Sequence, residues 1–284
     1  MTYQQLTELI SQRKSYLCVG LDADVQKLPK GLPNTPAGVL QFNKHIIDAT
    51  RHTCVAYKLN TAFYEAMGAA GWQVMAYTLE YIGSEHFKIA DAKRGDIGNT
   101  GQLYARAFFE TLNADAVTVN PYMGSDSVMP FLSYSGKWAI VLALTSNPGS
   151  ADFEKLVLQA EQEPAGLIPN VIKGQRSELL FERVIKTVRQ WGSTQNLMFV
   201  VGATQVAELS HIRSLIPDHF LLVPGVGWQG GNLQEVSANA LQNKTGLLVN
   251  ASRAVIYASL GSDYAAAAKA VAESYATQMA AYLE

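Results

Sequence analysis

Cysteine is almost absent: Cys18 and Cys54 are the only two in 284 residues. Both lie inside apolar runs, which suits buried, reduced thiols and leaves no disulfide framework to hold the fold. Excess charge is lacking too. A net charge of -2 gives no general attraction to nucleic acid or to an anionic membrane, so any anionic ligand must be held by a local site. No apolar run reaches the ~20 residues of a membrane-spanning helix. The polar start Met1-Thr-Tyr-Gln-Gln carries no export signal, and a cytoplasmic soluble protein is the default. Histidine is sparse, and the five present (His45, His52, His86, His211, His219) have no ligand spacing with Cys or carboxylates. No structural or catalytic zinc site is expected, and no Ser-His-Asp or Cys-His arrangement can be read.

What is present is an apolar fraction of 48%, enough for a large core. It is arranged in eight short runs that do not alternate, as strands covered on both faces require. They are Tyr16 to Leu21, Cys54 to Tyr57, Phe87 to Ala90, Ala116 to Val119, Ile140 to Leu144, Leu197 to Val201, Phe220 to Val223 and Leu247 to Val249. Between them, helical periodicity marks Val39 to Thr50, Glu65 to Tyr81, Gln102 to Leu112, Leu179 to Trp191 and Leu233 to Leu241, with an extra helix over residues 3–14 at the start. Strand and helix alternating throughout predicts a parallel sheet. Eight units favour a closed (β/α)8 TIM barrel, a single domain over 1–284, with a doubly wound sheet as runner-up.

A barrel brings the carboxyl ends of its strands to one face, where active sites form. The residues closing these runs include Asp22, Lys58, Asp91, Ser146, Gly225 and Asn250, with Lys93 and Arg253 just beyond. That set is too polar for chance strand ends. The loop after the fifth run is long, and its insertion over 147–174 is either a lid over substrate or a plain surface excursion. Ala-rich Asp263 to Glu284 predicts a terminal helix that covers the barrel bottom or its outer wall.

Asp91-Ala-Lys-Arg-Gly-Asp96 sets opposite charges within a few residues. With Lys58 they can form an alternating array of near-zero net charge, whose local fields are strong where water is partly excluded. Alone, the hexapeptide reads first as a solvated charged loop. Late in the chain, Pro224-Gly-Val-Gly-Trp-Gln-Gly-Gly231 and Asn250-Ala-Ser-Arg253 follow the last two runs. Glycines let backbone N–H groups approach an anion, a helix start adds a positive dipole end, and an Arg binds two phosphate oxygens, so a phosphorylated substrate is expected. Gly225 to Gly230 also spells a dinucleotide-type G-x-G-x-x-G. Asn250 stands where that reading needs an acid, and Trp228 is too bulky for it. The tripeptide Arg94-Gly-Asp96 is weak evidence for adhesion in a chain without an export signal.

Asp91-Ala-Lys-Arg-Gly-Asp-Ile-Gly-Asn-Thr100 resembles the Asp-x-Lys-x-x-Asp signature of the orotidine 5'-phosphate decarboxylase family. Val19-Gly-Leu-Asp22, Tyr57-Lys-Leu-Asn60, Asn120-Pro-Tyr-Met-Gly124, Thr145-Ser-Asn-Pro-Gly149 and the two phosphate loops look like its other blocks, in order, and closest to its longer bacterial branch. Ser252 stands where shorter members carry Gly, and the insertion after Ser146 is long. The resemblance implies a cofactor-free and metal-free enzyme that turns orotidine 5'-phosphate into UMP and CO2 in pyrimidine biosynthesis. By the same resemblance Lys93 protonates C6 of the pyrimidine, Asp91 lies beside the substrate carboxylate, and Lys58 binds ribose and orients Asp91. Asp22 takes ribose hydroxyls with Asn60 in the substrate-binding set, Ser146 reads the pyrimidine edge, and Arg253 with Gln229 and Gly230 holds phosphate. Asp96, with Ile97 and Thr100, is implied to reach into a neighbouring subunit's site, which makes a homodimer. Two alternatives stay open: a magnesium-dependent phosphosugar enzyme on the same barrel, such as a hexulose-phosphate synthase or keto-gulonate-phosphate decarboxylase, and a nucleotide-binding barrel without turnover.

Overall fold

A computed structural model describes residues 1–158, 178–227, 230–242 and 244–284. Each apolar run becomes a parallel strand: β1 Leu17–Gly20, β2 Ala56–Asn60, β3 Phe87–Arg94, β4 Ala116–Val119, β5 Trp138–Leu144, β6 Leu197–Val201, β7 Phe220–Pro224 and β8 Leu247–Ala251. Each strand pairs with the next, and β8 returns to β1, so the sheet closes into a (β/α)8 barrel. Closure leaves no open edge, and burial inside and out explains why the runs do not alternate.

Helices ring the barrel: α1 Tyr3–Arg13, α2 Pro36–Thr50, α3 Thr61–Glu65, α4 Gly68–Ile82, α5 Gly98–Arg106, α6 Met129–Leu132, α7 Ser150–Phe153, α8 Leu180–Val188, α9 Val206–Leu215, α10 Leu233–Ala240, α11 Arg253–Ile256 and α12 Tyr264–Ala280. Local chemistry sets their starts. Thr2 and Gln5 form a capping box on α1, and Thr35 caps α2 with Pro36 at its first position. Among the described residues no helix is long and apolar enough to cross a membrane.

Several boundaries differ from the expected ones. Lys58 and Asp91 lie inside β2 and β3 rather than at their ends, because both strands keep pairing past the apolar run, with Asn60 opposite Asp91. The helix expected over Glu65 to Tyr81 is broken into α3 and α4 at Gly68, whose φ of +65° ends a right-handed helix. The piece expected over Gln102 to Leu112 starts earlier, at Gly98, and loosens into a π-turn over Ala107–Thr111. Of the insertion, residues 147–158 give α7 and the strand Val157–Leu158, which pairs antiparallel with Glu178–Leu179. The remainder of the expected lid lies outside the described residues.

The amino-end face is built for rigidity. Phe87, Trp138 and Phe220, the first residues of alternate strands, meet Tyr3 of α1 in a plug with ring centroids 5.4 to 6.3 Å apart. α12 lies on the outer wall against α2, where the Tyr264 ring stands 5.4 Å from Phe42. Cys18 and Cys54 are buried and free, and burial pushes the Cys54 thiol up to about 11.

Arg213 of α9 ties this face together. Only 8% exposed, its guanidinium donates to the carbonyls of Ala240, Ile216, Pro217, His219 and Gly246 at 2.6 to 3.3 Å. These close α9, α10 and the turns feeding β7 and β8. Arg213→Met should cost about 3 kcal/mol or more in urea unfolding, since several buried carbonyls lose their donor at once. A loss below about 1 kcal/mol would mean that water replaces the guanidinium there.

Candidate active site

At the opposite face the strand interiors are charged. Lys58 in β2 is only 3% exposed, and its Nζ stands 2.8 Å from Asp91 Oδ2 and 3.9 Å from Asp22 Oδ1. Lys93 Nζ donates to Asp91 Oδ1 at 2.6 Å. Asp91 therefore lies between two ammonium groups, and each of its oxygens is engaged. Burial by itself would raise its pKa, but Lys58 and Lys93 outweigh burial and hold the carboxyl well below the usual carboxylate range. For Lys58 burial works the other way, and Asp22 and Asp91 overcome it, so its ammonium stays charged beyond the ordinary lysine range. The Lys93 side chain is 49% exposed and thus faces whatever enters.

The backbone that presents Asp91 and Lys93 is irregular. Ala90 pairs with Val117 and Arg94 with Val119, so the three residues between them face only Thr118 of β4. Lys93 takes φ +48°, in the left-handed region. Its N–H donates to Thr118 Oγ1 at 2.9 Å, and that hydroxyl donates to Asp91 Oδ1 at 2.9 Å.

The array lines one wall of a cavity of about 270 Å³ that is completed by Leu142, Thr145, Ser146, Asn147, Val200, Leu222 and Pro224. Thr145 is pinned by Glu154, which accepts its N–H at 2.7 Å and its hydroxyl at 2.9 Å, and by Gln205, whose amide donates to the Thr145 carbonyl at 2.9 Å. Beside the cavity, the loop after β7 turns through Gly225, Gly227 and Gly230 at φ +98°, +83° and +85°, which side-chain-bearing residues avoid. Gly20 in β1 makes room for the other loop, because a Cβ there would stand 1.8 Å from Ser252 Oγ. Ser252 accepts from Asn250 Nδ2 at 3.1 Å, and Arg253 opens α11. With only four residues, α11 is too short to supply the dipole expected of a helix start.

The cavity thus unites Lys58, Asp91, Lys93 and Ser146 of the predicted residues, with Asp22 joined through Lys58. The expected four-charge array is corrected at Asp96. Among the described residues its carboxylate accepts only the N–H of Ile97, at 2.8 Å, and takes no part in the Lys58–Asp91–Lys93 chain. Ile97 and Thr100 lie exposed at the start of α5, away from the cavity. Asn60 uses Oδ1 to cap α3, bonding Ala62 N–H at 3.1 Å, while its own N–H donates to Asp22 Oδ1 at 3.3 Å. Gln229 lies outside the described residues. Sequence reading missed Thr118 and Glu154. A threonine within Ala116–Val119 is one hydroxyl in an apolar run, and Glu154 sits in an insertion without a legible pattern, so neither had a distinctive signal.

The family model described as orotidine 5'-phosphate decarboxylase / HUMPS matches residues 15–271 of the chain. A protein of Bacteroides fragilis named orotidine 5'-phosphate decarboxylase is 49% identical over 100% of this chain and 99% of its own length. The solved structure of Leishmania donovani OMP decarboxylase superposes with a TM-score of 0.80 at 33% identity, covering 99% of both chains. Against Leishmania donovani UMP synthase the TM-score is 0.81 at 35% identity, with 97% of this chain matching 56% of that one.

The charge array predicts a definite pH dependence. Asp91, depressed in the fold, adds stability that is complete above its unfolded pKa of ~4 and is lost as pH falls through the lower folded value. Lys58, raised in the fold, adds stability that is complete below its unfolded pKa of ~10.4 and is lost as pH rises through the higher folded value. Asp91→Asn should therefore cost about 3 kcal/mol or more. Urea unfolding should give a nearly constant cost from about pH 5 to 9. A cost that fades already near pH 6 would mean that Asp91 titrates close to neutrality.

Proposed function

The chain belongs to the orotidine 5'-phosphate decarboxylase / HUMPS family, and on that premise we propose that it removes CO2 from orotidine 5'-phosphate to leave UMP, the decarboxylation that serves pyrimidine biosynthesis. The observation that carries the reading is the Lys58–Asp91–Lys93 array on the wall of the cavity. Full-length likeness to relatives named for this reaction favours it over the family's other activities.

Loss of CO2 leaves an electron pair on C6 of the pyrimidine. The ammonium of Lys93, held before substrate arrives, lowers the energy of that developing charge and then gives C6 its proton. Asp91 keeps the ammonium in place and stands beside the substrate carboxylate, where repulsion is relieved when CO2 departs. Lys58 orients Asp91 and, with Asp22, meets the ribose. Ser146, fixed through its neighbour Thr145, reads the pyrimidine edge. Arg253 and the Gly230 loop hold the phosphate, whose binding energy is then available to orient the ring.

The reaction in this proposal needs no metal or other cofactor. Lys58 Nζ occupies the space between Asp91 and Asp22 that a divalent cation bound by both carboxylates would require. Chelator-treated protein should release CO2 from orotidine 5'-phosphate at the untreated rate, and Lys93→Ala should lose at least about 10³-fold in kcat. No CO2 from orotidine 5'-phosphate with or without magnesium, together with magnesium-dependent turnover of a phosphosugar, would favour the phosphosugar alternative. UMP binding without any turnover would favour the non-catalytic one.

We further propose a cytoplasmic homodimer in which Asp96 completes the partner's site. In support, Asp96 stands clear of its own chain's array, while Ile97 is 56% and Met129 46% exposed on the same rim. Lys93→Ala and Asp96→Ala proteins, each inactive, should regain activity when mixed and re-associated, because one site of the hybrid then has both groups. Hybrids that form and stay inactive would return Asp96 to its own subunit.

A further inference from the structure

We propose that Thr118 is a positioning residue for proton transfer, its single hydroxyl setting where the Lys93 ammonium stands. The inference rests on the decarboxylase reading above. Its starting point is the irregular ladder between β3 and β4. Asp91 keeps Asn60 of β2 as its partner on one side, but on the other, where regular pairing would set one β4 residue opposite each β3 residue, Asp91, Ala92 and Lys93 together face Thr118 alone. A backbone N–H left unbonded in a part-buried position is unfavourable, and a left-handed φ of +48° at a side-chain-bearing residue adds to the cost. Both would drive Lys93 back toward regular strand geometry, with its side chain turned elsewhere.

Thr118 opposes that collapse. Its Oγ1 accepts the Lys93 N–H at 2.9 Å, taking the place of a ladder carbonyl, and donates a hydrogen bond to Asp91 Oδ1 at 2.9 Å. A hydroxyl has one donor and two acceptor positions, so it performs both tasks at once. Lys93 Nζ donates to the same Asp91 oxygen at 2.6 Å. The result is a closed circuit in which Thr118 fixes the lysine backbone, Asp91 fixes its ammonium, and Thr118 fixes Asp91. Thr118 is 1% exposed, so water does not reach it easily to substitute for the hydroxyl. A Thr serving only the packing of β4 would need neither bond.

Thr118→Val keeps the shape and removes the hydroxyl. Its kcat on orotidine 5'-phosphate should fall about 10- to 100-fold, as loss of a hydrogen bond to a charged group implies, while KM and UMP affinity stay within about 3-fold. Exchange of the C6 proton of UMP with deuterium from solvent, which reports Lys93 without the carboxylate, should slow by a similar factor. Thr118→Ser should recover most of the rate and Thr118→Ala should match Val, so the Ala and Ser pair decides the matter if the Val variant does not fold. Hydroxyl-free variants with kcat within about 2-fold of the parent would overturn the inference, as would a Ser variant as slow as Val. UMP affinity falling in step with kcat, or failure of both Val and Ala variants to fold, would make the role structural and overturn it too. A parent protein without turnover would instead defeat the decarboxylase reading itself, and this inference with it.

Discussion

Two buried ions stabilise a fold only when their mutual attraction and their other hydrogen bonds offset the loss of water, and the Lys58–Asp91 pair meets that condition from several sides. Moving each ion out of water costs several kcal/mol even after relaxation. Asp91 recovers this from Lys58, from Lys93 and from the Thr118 hydroxyl, while Lys58 has Asp22 as a second carboxylate. The compensation depends on register. Asn60 must pair with Asp91, and Gly20 with Lys58, for these side chains to meet at the same height of the barrel. A slip by one residue would turn them to opposite faces and leave bare charges in the core.

The two ends of the barrel divide the physical tasks. The amino end carries the aromatic plug of Tyr3, Phe87, Trp138 and Phe220, together with the five carbonyl contacts of Arg213, and it holds the strand starts rigid. The carboxyl end accommodates what is individually unfavourable: a lysine at positive φ, a bulged strand, glycine turns and concentrated charge. Because each strand runs through both ends, rigidity at one end limits how far the charged groups at the other can relax when a substrate displaces water.

The fold was legible because burial on both faces leaves unbroken apolar runs, and eight of them separated by helical periodicity admit few architectures. The identities of Lys58, Asp91 and Lys93 were legible for a related reason: charges adjoining such runs have few inexpensive places to go. Their positions inside the strands were not, since hydropathy falls at the first charge while backbone pairing continues past it. Thr118 was hidden by its ordinary residue type. Its importance arises from standing opposite three residues of β3 instead of one, a property of the pairing between strands that no single segment encodes. Glu154 reaches Thr145 from nine residues away through the fold of the insertion, where sequence periodicity offers no guide.

The hexapeptide Asp91 to Asp96 has a geometry that explains why its charges separate. Asp91 and Lys93 follow the bulged strand along the cavity wall, and then the chain passes the β4 exit so closely that a Cβ on Gly95 would stand 2.9 Å from the Asn120 carbonyl. Only a glycine fits that approach without displacing backbone. Past it, Asp96 is on the rim, its carboxylate bonded to the Ile97 N–H at the entrance to α5. A carboxylate beside buried Lys58 and Asp91 and half-exposed Lys93 would add a negative charge to an array that two carboxylates and two ammonium groups already bring close to neutrality. Placed on the rim beside exposed Ile97, the same charge remains available to a second chain without unbalancing the first. The spacing of the motif thus does two things at once: it preserves neutrality inside one barrel and offers a carboxylate outside it, which is the physical basis for assigning Asp96 to a partner's site in the proposed dimer.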